Sequence, residues 1–579
     1  MGRVFDAHNL RLVKSLNGIW KFQTDPDDCG IQECWYQSLN TQDTMTVPSV
    51  WNTRLGLLEY EGVAWYEKEF YAEGGCLRLC FGAVMTDARV WLDGVYVGSH
   101  YGGFCQFELI CQNVKEGFHK VTVRVDNRFN ADSIPQALVD WYHYGGITRD
   151  VTVELLKGIC ILNNRMEYTL SEDLHSASCR FALELYNAES VSVSSNVRIL
   201  LDGQCIYQGH HFLSAGDKQE YITPEFAVSD VRLWDLNSPQ LYQIQCFTDT
   251  DDLFDKTGFR KIEAKENQIL LNGRPVEIRG INRHEEHPDW GMAFPVGLMQ
   301  RDLDIISDMG CNAIRGSHYP NAQEFLDMLD SRGIAFWSEI PMWGGTSFSG
   351  EVCANPMIAK RAMEMHREMI KYYYNHPCIL IWGMHNEIDT TSKTAYDLTK
   401  GIYAFLKQHG GNRLVTFATN KAMTDICLEL CDIICLNYYT GWYWDNRDQW
   451  PEAVDAFLKH RDALGMDGKP VIYSEFGGAA IYGHHTFDDL KGTEEYQAEL
   501  LWKCLNAFHS EKRIAGFFVW QFCDIRTSPQ MGLDRARSYN NKGILNEYRK
   551  PKLAYYMVKK AYQDFKKEES RKSVDHMDS

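Results

Sequence analysis

No stretch of the 579-residue chain approaches the ~18 consecutive apolar residues that a membrane helix needs. The opening "MGRVFDAHNLRLVKSLNGIWKF" also lacks the apolar run of a secretion signal. The expectation is a cytoplasmic protein with no membrane partner. Positive charge is scarce: 59 Lys+Arg against 78 Asp+Glu leave a formal net charge of -19. That balance argues against broad binding to nucleic acid or anionic membranes. The 18 cysteines show no CxxC. In a chain without a secretion signal they read as reduced, small apolar core residues rather than a disulfide framework.

What is present is the composition of a soluble globular protein, 45% hydrophobic and 24% charged, long enough for two to four domains. The first quarter reads as β. In "HKVTVRVDN", Val121, Val123 and Val125 alternate with polar residues, as in a half-buried strand. Asp93-Gly94 and Asp202-Gly203 each sit between two apolar runs, a hairpin signal. Two β-sandwiches are expected up to about residue 265.

Beyond that point short apolar strands alternate with amphipathic helices. Strands are expected to start near Val276, Asn312, Ile334, Cys378, Leu414, Asp432, Pro470 and Ile514. Eight strands with crossover helices point to a (β/α)8 TIM barrel. An open doubly wound sheet is disfavoured, because no glycine-rich phosphate fingerprint follows the first strand. The charged tail after Phe565 is expected to fray.

Catalytic residues of such barrels gather at the carboxyl ends of the strands. The fourth strand, "CILIWGMHNE", ends in Asn386-Glu387, and the seventh, "PVIYSEFG", carries Glu475. A facing carboxyl pair is what glycoside hydrolysis requires. The same positions also suit glutamates that merely pair with an arginine at the rim.

These stretches, with "LWDLNSPQLY", "GFRKIE", "LNGRPVEIRGINRHEEHPDWG", "RGSHYPN" and "SEFGG", resemble glycoside hydrolase family 2 over nearly the whole chain. The resemblance implies a multidomain protein. Its parts are a jelly-roll sugar-binding β-sandwich over 1–157, an immunoglobulin-like β-sandwich over 158–264 and a catalytic TIM barrel over 265–567. Residues 568–579 would be a disordered tail. It also implies a retaining double displacement, with Glu387 as acid/base and Glu475 as nucleophile, and no cofactor. Asn386 is placed to hydrogen-bond the sugar 2-hydroxyl. The acid is expected to have a raised pKa and the nucleophile to stay ionised.

The sugar must be read separately, because the family hosts several specificities. "RARSYNNKGIL" follows the eighth strand and so belongs to the catalytic face. There Asn540-x-Lys542 resembles the motif by which the family's β-glucuronidases hold their substrate's carboxylate. An ammonium beside an amide recognises that charge through charge-assisted hydrogen bonds. By the same resemblance Asp140, Tyr439 and Tyr443 contact substrate, and one arginine of Arg535 and Arg537, with Arg537 favoured. Trp520 suits a platform for a sugar face, in keeping with 13% aromatics. His284 is expected to hydrogen-bond substrate. His318 could be rim or site. The run His284, Glu285, Glu286, His287 resembles the family's β-galactosidases, several of which use divalent ions. Four neighbours on one loop rarely converge on one ion, so no metal is expected.

The leading expectation is an exo-acting enzyme releasing β-D-glucuronic acid from small-molecule or oligosaccharide glucuronides. The alternatives are a β-galactosidase and an inactive sugar-binding protein. The segment from Met342 to Ala359 is short, which suggests an open leaving-group site suited to large glucuronides. Family members are commonly dimers or tetramers, so a homo-oligomer is expected.

Overall fold

The computed structural model of the chain describes residues 2–575. Eight parallel strands close into a barrel: β1 (Ile278–Arg283), β2 (Ala313–Gly316), β3 (Ala335–Glu339), β4 (Ile379–Asn386), β5 (Leu414–Thr419), β6 (Ile434–Asn437), β7 (Val471–Glu475) and β8 (Ile514–Val519). Each starts within two residues of its sequence-based position. Their residues are almost all buried, because helices cover the outside and side chains fill the inside.

The helices follow from local rules. Between β1 and β2, Val296–Met309 buries Met299, Leu303 and Ile306 on one face and stops at Gly310, whose φ of 91° only glycine adopts freely. Asn355 accepts a hydrogen bond from the Met357 backbone and Pro356 follows it, which starts the helix Pro356–Tyr373. The β6–β7 connection holds a helix, Trp450–Ala463, that the sequence patterns above did not single out. Between β5 and β6 the chain runs from Asn420 to Ile433 without one. A short hairpin, Ile262–Lys265 with Gln268–Leu271, places Ile262, Ile269 and Leu271 in the barrel core.

Two antiparallel β-sandwiches precede the barrel. The first pairs a four-stranded sheet with a six-stranded one, around a core that includes Trp20, Phe22, Tyr66, Phe81 and Val123. Asp93-Gly94 and Asp202-Gly203 do form tight hairpin turns, each with both residues at positive φ. The strand Gly117–Asp126 departs from the half-buried expectation. Thr122 and Arg124 are buried as well, since Leu39, Trp35 and Tyr36 pack over that side against Trp65 and Trp91. The second sandwich joins two four-stranded sheets and meets the barrel through the Met166 backbone on Asn375 Oδ1 (2.9 Å) and Trp234 Nε1 on the Asp330 carbonyl (2.7 Å).

The first domain reaches the barrel mouth by an arm. Val139, Trp141, Tyr142 and Tyr144 cluster with Met292, Tyr319 and Ile525. The arm is pinned by Ser528 Oγ on the Val139 carbonyl (2.7 Å), Ser347 Oγ on the Leu138 carbonyl (2.6 Å) and the Tyr142 amide on the Arg526 carbonyl (2.9 Å).

The last helix runs Leu553–Asp575, through the start of the tail that was expected to fray. Residues 576–579 of the expected tail lie outside the described residues. Among the described residues no helix is long and apolar enough to cross a membrane. All 18 cysteines are unpaired, and all but Cys29, Cys34 and Cys205 are buried.

Candidate active site

Both glutamates lie where a strand end is irregular. The β4–β5 register shifts between Gly383 and Asn386, and Glu387 then takes a φ of 56° while its amide bonds the Ala418 carbonyl (2.8 Å). In β7 the shift makes Tyr473 face Leu436 but Glu475 face Asn437. Such bulges re-aim side chains at a barrel rim.

Glu475 is fully engaged. Arg315 Nη1 donates to its Oε1 (2.8 Å) and Tyr439 Oη to its Oε2 (2.9 Å). Arg315, from β2, is wholly buried and grips Glu339 of β3 through Nε (3.1 Å) and Nη2 (2.8 Å). Its Nη2 also reaches Asn386 Oδ1 (2.8 Å). Asn437 of β6 donates from Nδ2 to both Asn386 Oδ1 (2.9 Å) and Glu387 Oε1 (2.8 Å). With its Oδ1 occupied, Asn386 keeps a buried Nδ2 that has no partner among the described residues. That leaves a donor for a ligand hydroxyl.

Burial pushes both carboxyls up, Glu475 to about 8, with Arg315 opposing and the Glu387 charge adding to the rise. Glu475 is held by a guanidinium and a phenol and Glu387 by one amide, so the donor sets favour negative charge on Glu475 over Glu387.

Burial drives His318 and His284 well below the usual imidazole range, with Arg315 adding to the drop at His318. His318 Nδ1 lies 2.7 Å from Glu339 Oε1, so this nitrogen carries the proton, and its ring stacks on Trp520 (5.1 Å). His284 Nδ1 meets Tyr319 Oη (3.1 Å), and its buried Nε2 has no partner among the described residues. The other members of that run diverge. Glu285 takes Arg149 (3.0 Å), Glu286 takes Tyr144 (2.8 Å), and His287 packs edge-on against Tyr548. They do not form one ligand set.

A second cluster lies on the loop after β8. Asp140, at the end of the first-domain arm, accepts on Oδ2 from Asn540 Nδ2 (2.9 Å) and Arg535 Nη2 (2.7 Å). Lys542, only 3% exposed, donates to Tyr443 Oη (2.6 Å) and lies 5.4 Å over the Tyr439 ring. Among the described residues no carboxylate lies within ion-pair distance of its ammonium. Arg537, the arginine favoured from the sequence, lies away from Asp140. Its φ of 61° turns it away to Glu547 (2.8 Å) and Asn541 (3.1 Å), so Arg535 is the arginine beside Asp140. Arg315, Glu339, Asn437 and the buried place of His318 were not assigned from sequence. Their signal was their position at or just beyond the ends of β2, β3 and β6.

Comparison with known proteins gives the family. Residues 262–567 match the model of the glycosyl hydrolases family 2 TIM barrel domain, and 13–157 match that family's sugar binding domain. A β-glucuronidase of Paenibacillus borealis is 28% identical over 603 residues, covering 95% of this chain and 96% of that protein. The crystal structure of a family 2 β-galacturonidase from Eisenbergiella tayi bound to galacturonate superposes with a TM-score of 0.91 at 33% identity, over 97% of this chain and 99% of that one. A Ruminococcus gnavus β-glucuronidase structure gives 0.85 at 27%, with the same coverage. With its barrel model spanning more than half of the sequence, the chain belongs to glycoside hydrolase family 2 and is a glycoside hydrolase.

Proposed function

We propose that the enzyme is a retaining, exo-acting β-uronidase that releases β-D-glucuronic acid from glucuronide conjugates. The observation that carries the uronide reading is Lys542: a buried ammonium with a phenol but no carboxylate for a partner. An unpaired buried charge is costly, and a substrate carboxylate would complete the pair. A galactoside, with a neutral C6 hydroxymethyl, would leave that ammonium uncompensated. Asn540 and Arg535 are held beside it through Asp140. The arm from the first domain brings Asp140 to this end of the site, and the exo-acting reading follows the family resemblance.

In this reading Glu387 gives its proton to the glycosidic oxygen as the Glu475 carboxylate attacks C1. The bond to the leaving group breaks and a glycosyl ester on Glu475 forms. Glu387, now ionised, takes a proton from water, whose oxygen attacks C1 and frees Glu475. Two inversions give retention. Asn386 Nδ2 supplies a donor for the 2-hydroxyl, a contact that strengthens in the transition state.

A second reading is supported by the Eisenbergiella tayi similarity: a β-galacturonide, the C4 epimer, in which the carboxylate clamp would serve unchanged. Hydrolysis of 4-nitrophenyl β-D-glucuronide, β-D-galacturonide and β-D-galactoside separates the readings. The glucuronide is expected to be fastest, and Lys542→Ala to lower its kcat/KM by roughly 10³-fold, since a site built to pair a charge loses both the bond and the match. A faster galacturonide selects the second reading. A Lys542→Ala enzyme with undiminished activity rejects the clamp.

A further inference from the structure

The Lys542 clamp grips one end of the sugar, and a second lysine stands at the end of another barrel strand. Lys421 lies just past the end of β5, on the connection that has no helix. Its ammonium is 2.9 Å from where a side chain on Gly345 would begin, and the Glu387 carbonyl is 3.2 Å from that same point. Its positive field reaches the Glu387 carboxyl and holds down the rise that burial causes. The group is thus fixed between the segment after β3 and the end of β4.

Its partner is neutral. Lys421 Nζ donates to Asn420 Oδ1 (2.9 Å), and among the described residues no carboxylate comes within ion-pair distance of it. The acid nearest in sequence, Asp425, is taken up by Thr390 Oγ1 (2.6 Å) and the Cys427 amide (2.7 Å). Lys421 therefore stands next to Glu387 without a carboxylate in ion-pair contact, while remaining partly open to solvent.

Position assigns the role. Whichever bond is cleaved, the general acid must touch the glycosidic oxygen, so the atoms beyond that oxygen lie beside Glu387. We propose that Lys421 forms a leaving-group subsite for aglycones carrying an anionic group, a carboxylate or a sulfate, as in an acidic oligosaccharide. This assignment rests on Glu387 being the acid, and not on which sugar the clamp selects.

The test compares leaving groups on one glycone, the one the enzyme cleaves fastest. Substrates are the 3-carboxyphenyl, 3-sulfooxyphenyl and 3-carbamoylphenyl glycosides. The first two separate carboxylate from sulfate, and the third is neutral. Wild-type kcat/KM is expected to favour an anionic leaving group over the carboxamide by about tenfold, the worth of one charge-assisted hydrogen bond. In Lys421→Gln that ratio should fall to about one, and in Lys421→Glu it should invert. Using a ratio cancels any change in Glu387 proton affinity common to all substrates. Added salt should shrink the wild-type preference. A wild-type ratio near one, or a preference kept in Lys421→Gln, overturns the proposal. Failure of the uronide reading would show separately, as a different glycone being preferred.

Discussion

The two clusters at the barrel mouth are built on opposite plans. Around Glu475 the groups come from strand ends: Arg315 from β2, Glu339 from β3, Asn386 from β4 and Asn437 from β6, all wholly buried. Arg315 alone ties Glu475, Glu339 and Asn386 together. Around Lys542 the groups come from loops of two domains, and the principal ammonium has only a phenol for a partner. The first cluster is paired in the free protein apart from the Asn386 Nδ2. The second is one anion short. A strand-borne, densely paired network holds reacting groups rigidly, as bond breaking requires. A loop-borne, incomplete one leaves its last partner to the ligand, which is how a shared scaffold acquires selectivity.

The contrast breaks most sharply at Glu475. Glu475→Ala should lower kcat by at least ~10³-fold, about 4 kcal/mol of barrier, on any glycone. Added azide should restore turnover and give a glycosyl azide of inverted anomeric configuration, because the small anion attacks from the vacated side. For Glu387→Ala on an activated aryl glycoside, azide should give the retained azide instead. Proton NMR of the anomeric signal reads both outcomes. The same azide product from both variants would reverse or void the two roles.

Within the loop cluster the contrast can be sharpened between two neighbours. Arg535→Ala removes a partner of Asp140, and kcat/KM on the preferred uronide should fall about 10²-fold, in line with a charged hydrogen bond worth about 3 kcal/mol. Arg537→Ala should stay within about threefold, as for a surface residue away from the site. Steady-state kinetics on both variants checks this. Equal losses would mean that the loop as a whole, and not Arg535, supports the corner.

That pair also marks where sequence reading ran out. Strand starts were legible because most barrel strands are short apolar runs next to an amphipathic helix, so period and length locate them. The ends of β4 and β7 gave Glu387 and Glu475 through the same register. Side-chain direction in a loop has no such period. Arg535 and Arg537 are two residues apart, and a backbone of φ 61° at Arg537 decides which of them meets Asp140. Cross-strand partners were hidden for another reason. Arg315, Glu339 and Asn437 are distant in sequence and meet only when the barrel closes. The strand Gly117–Asp126 shows the limit in the sandwiches. Its alternation was visible, but the segment carrying Trp35, Tyr36 and Leu39 that covers its polar side was not.

The smallest expected effect concerns stability and turns on the cost of a densely paired but charged centre. The Glu475 carboxyl is pushed up to about 8, so the folded state binds a proton at this pair more tightly than the unfolded chain does. The sign follows. The stabilisation is complete below the unfolded value of about 4.3 and is lost as pH rises through about 8. Above that, burial holds two ionised carboxyls together against one Arg315. Glu475→Gln keeps an acceptor for Arg315 and removes one of the charges. Its melting temperature relative to wild type should therefore rise from pH 5 to pH 8.5, by about 2–4 °C for each kcal/mol released in the barrel's own transition. Calorimetry across that range reads the trend. Lys542→Met should behave differently: it removes a cation that is not part of the carboxyl pair, so its effect should not follow the Glu475 curve. A flat curve for Glu475→Gln would mean that the free site holds no shared proton, and the difference between the two clusters would then lie in geometry alone.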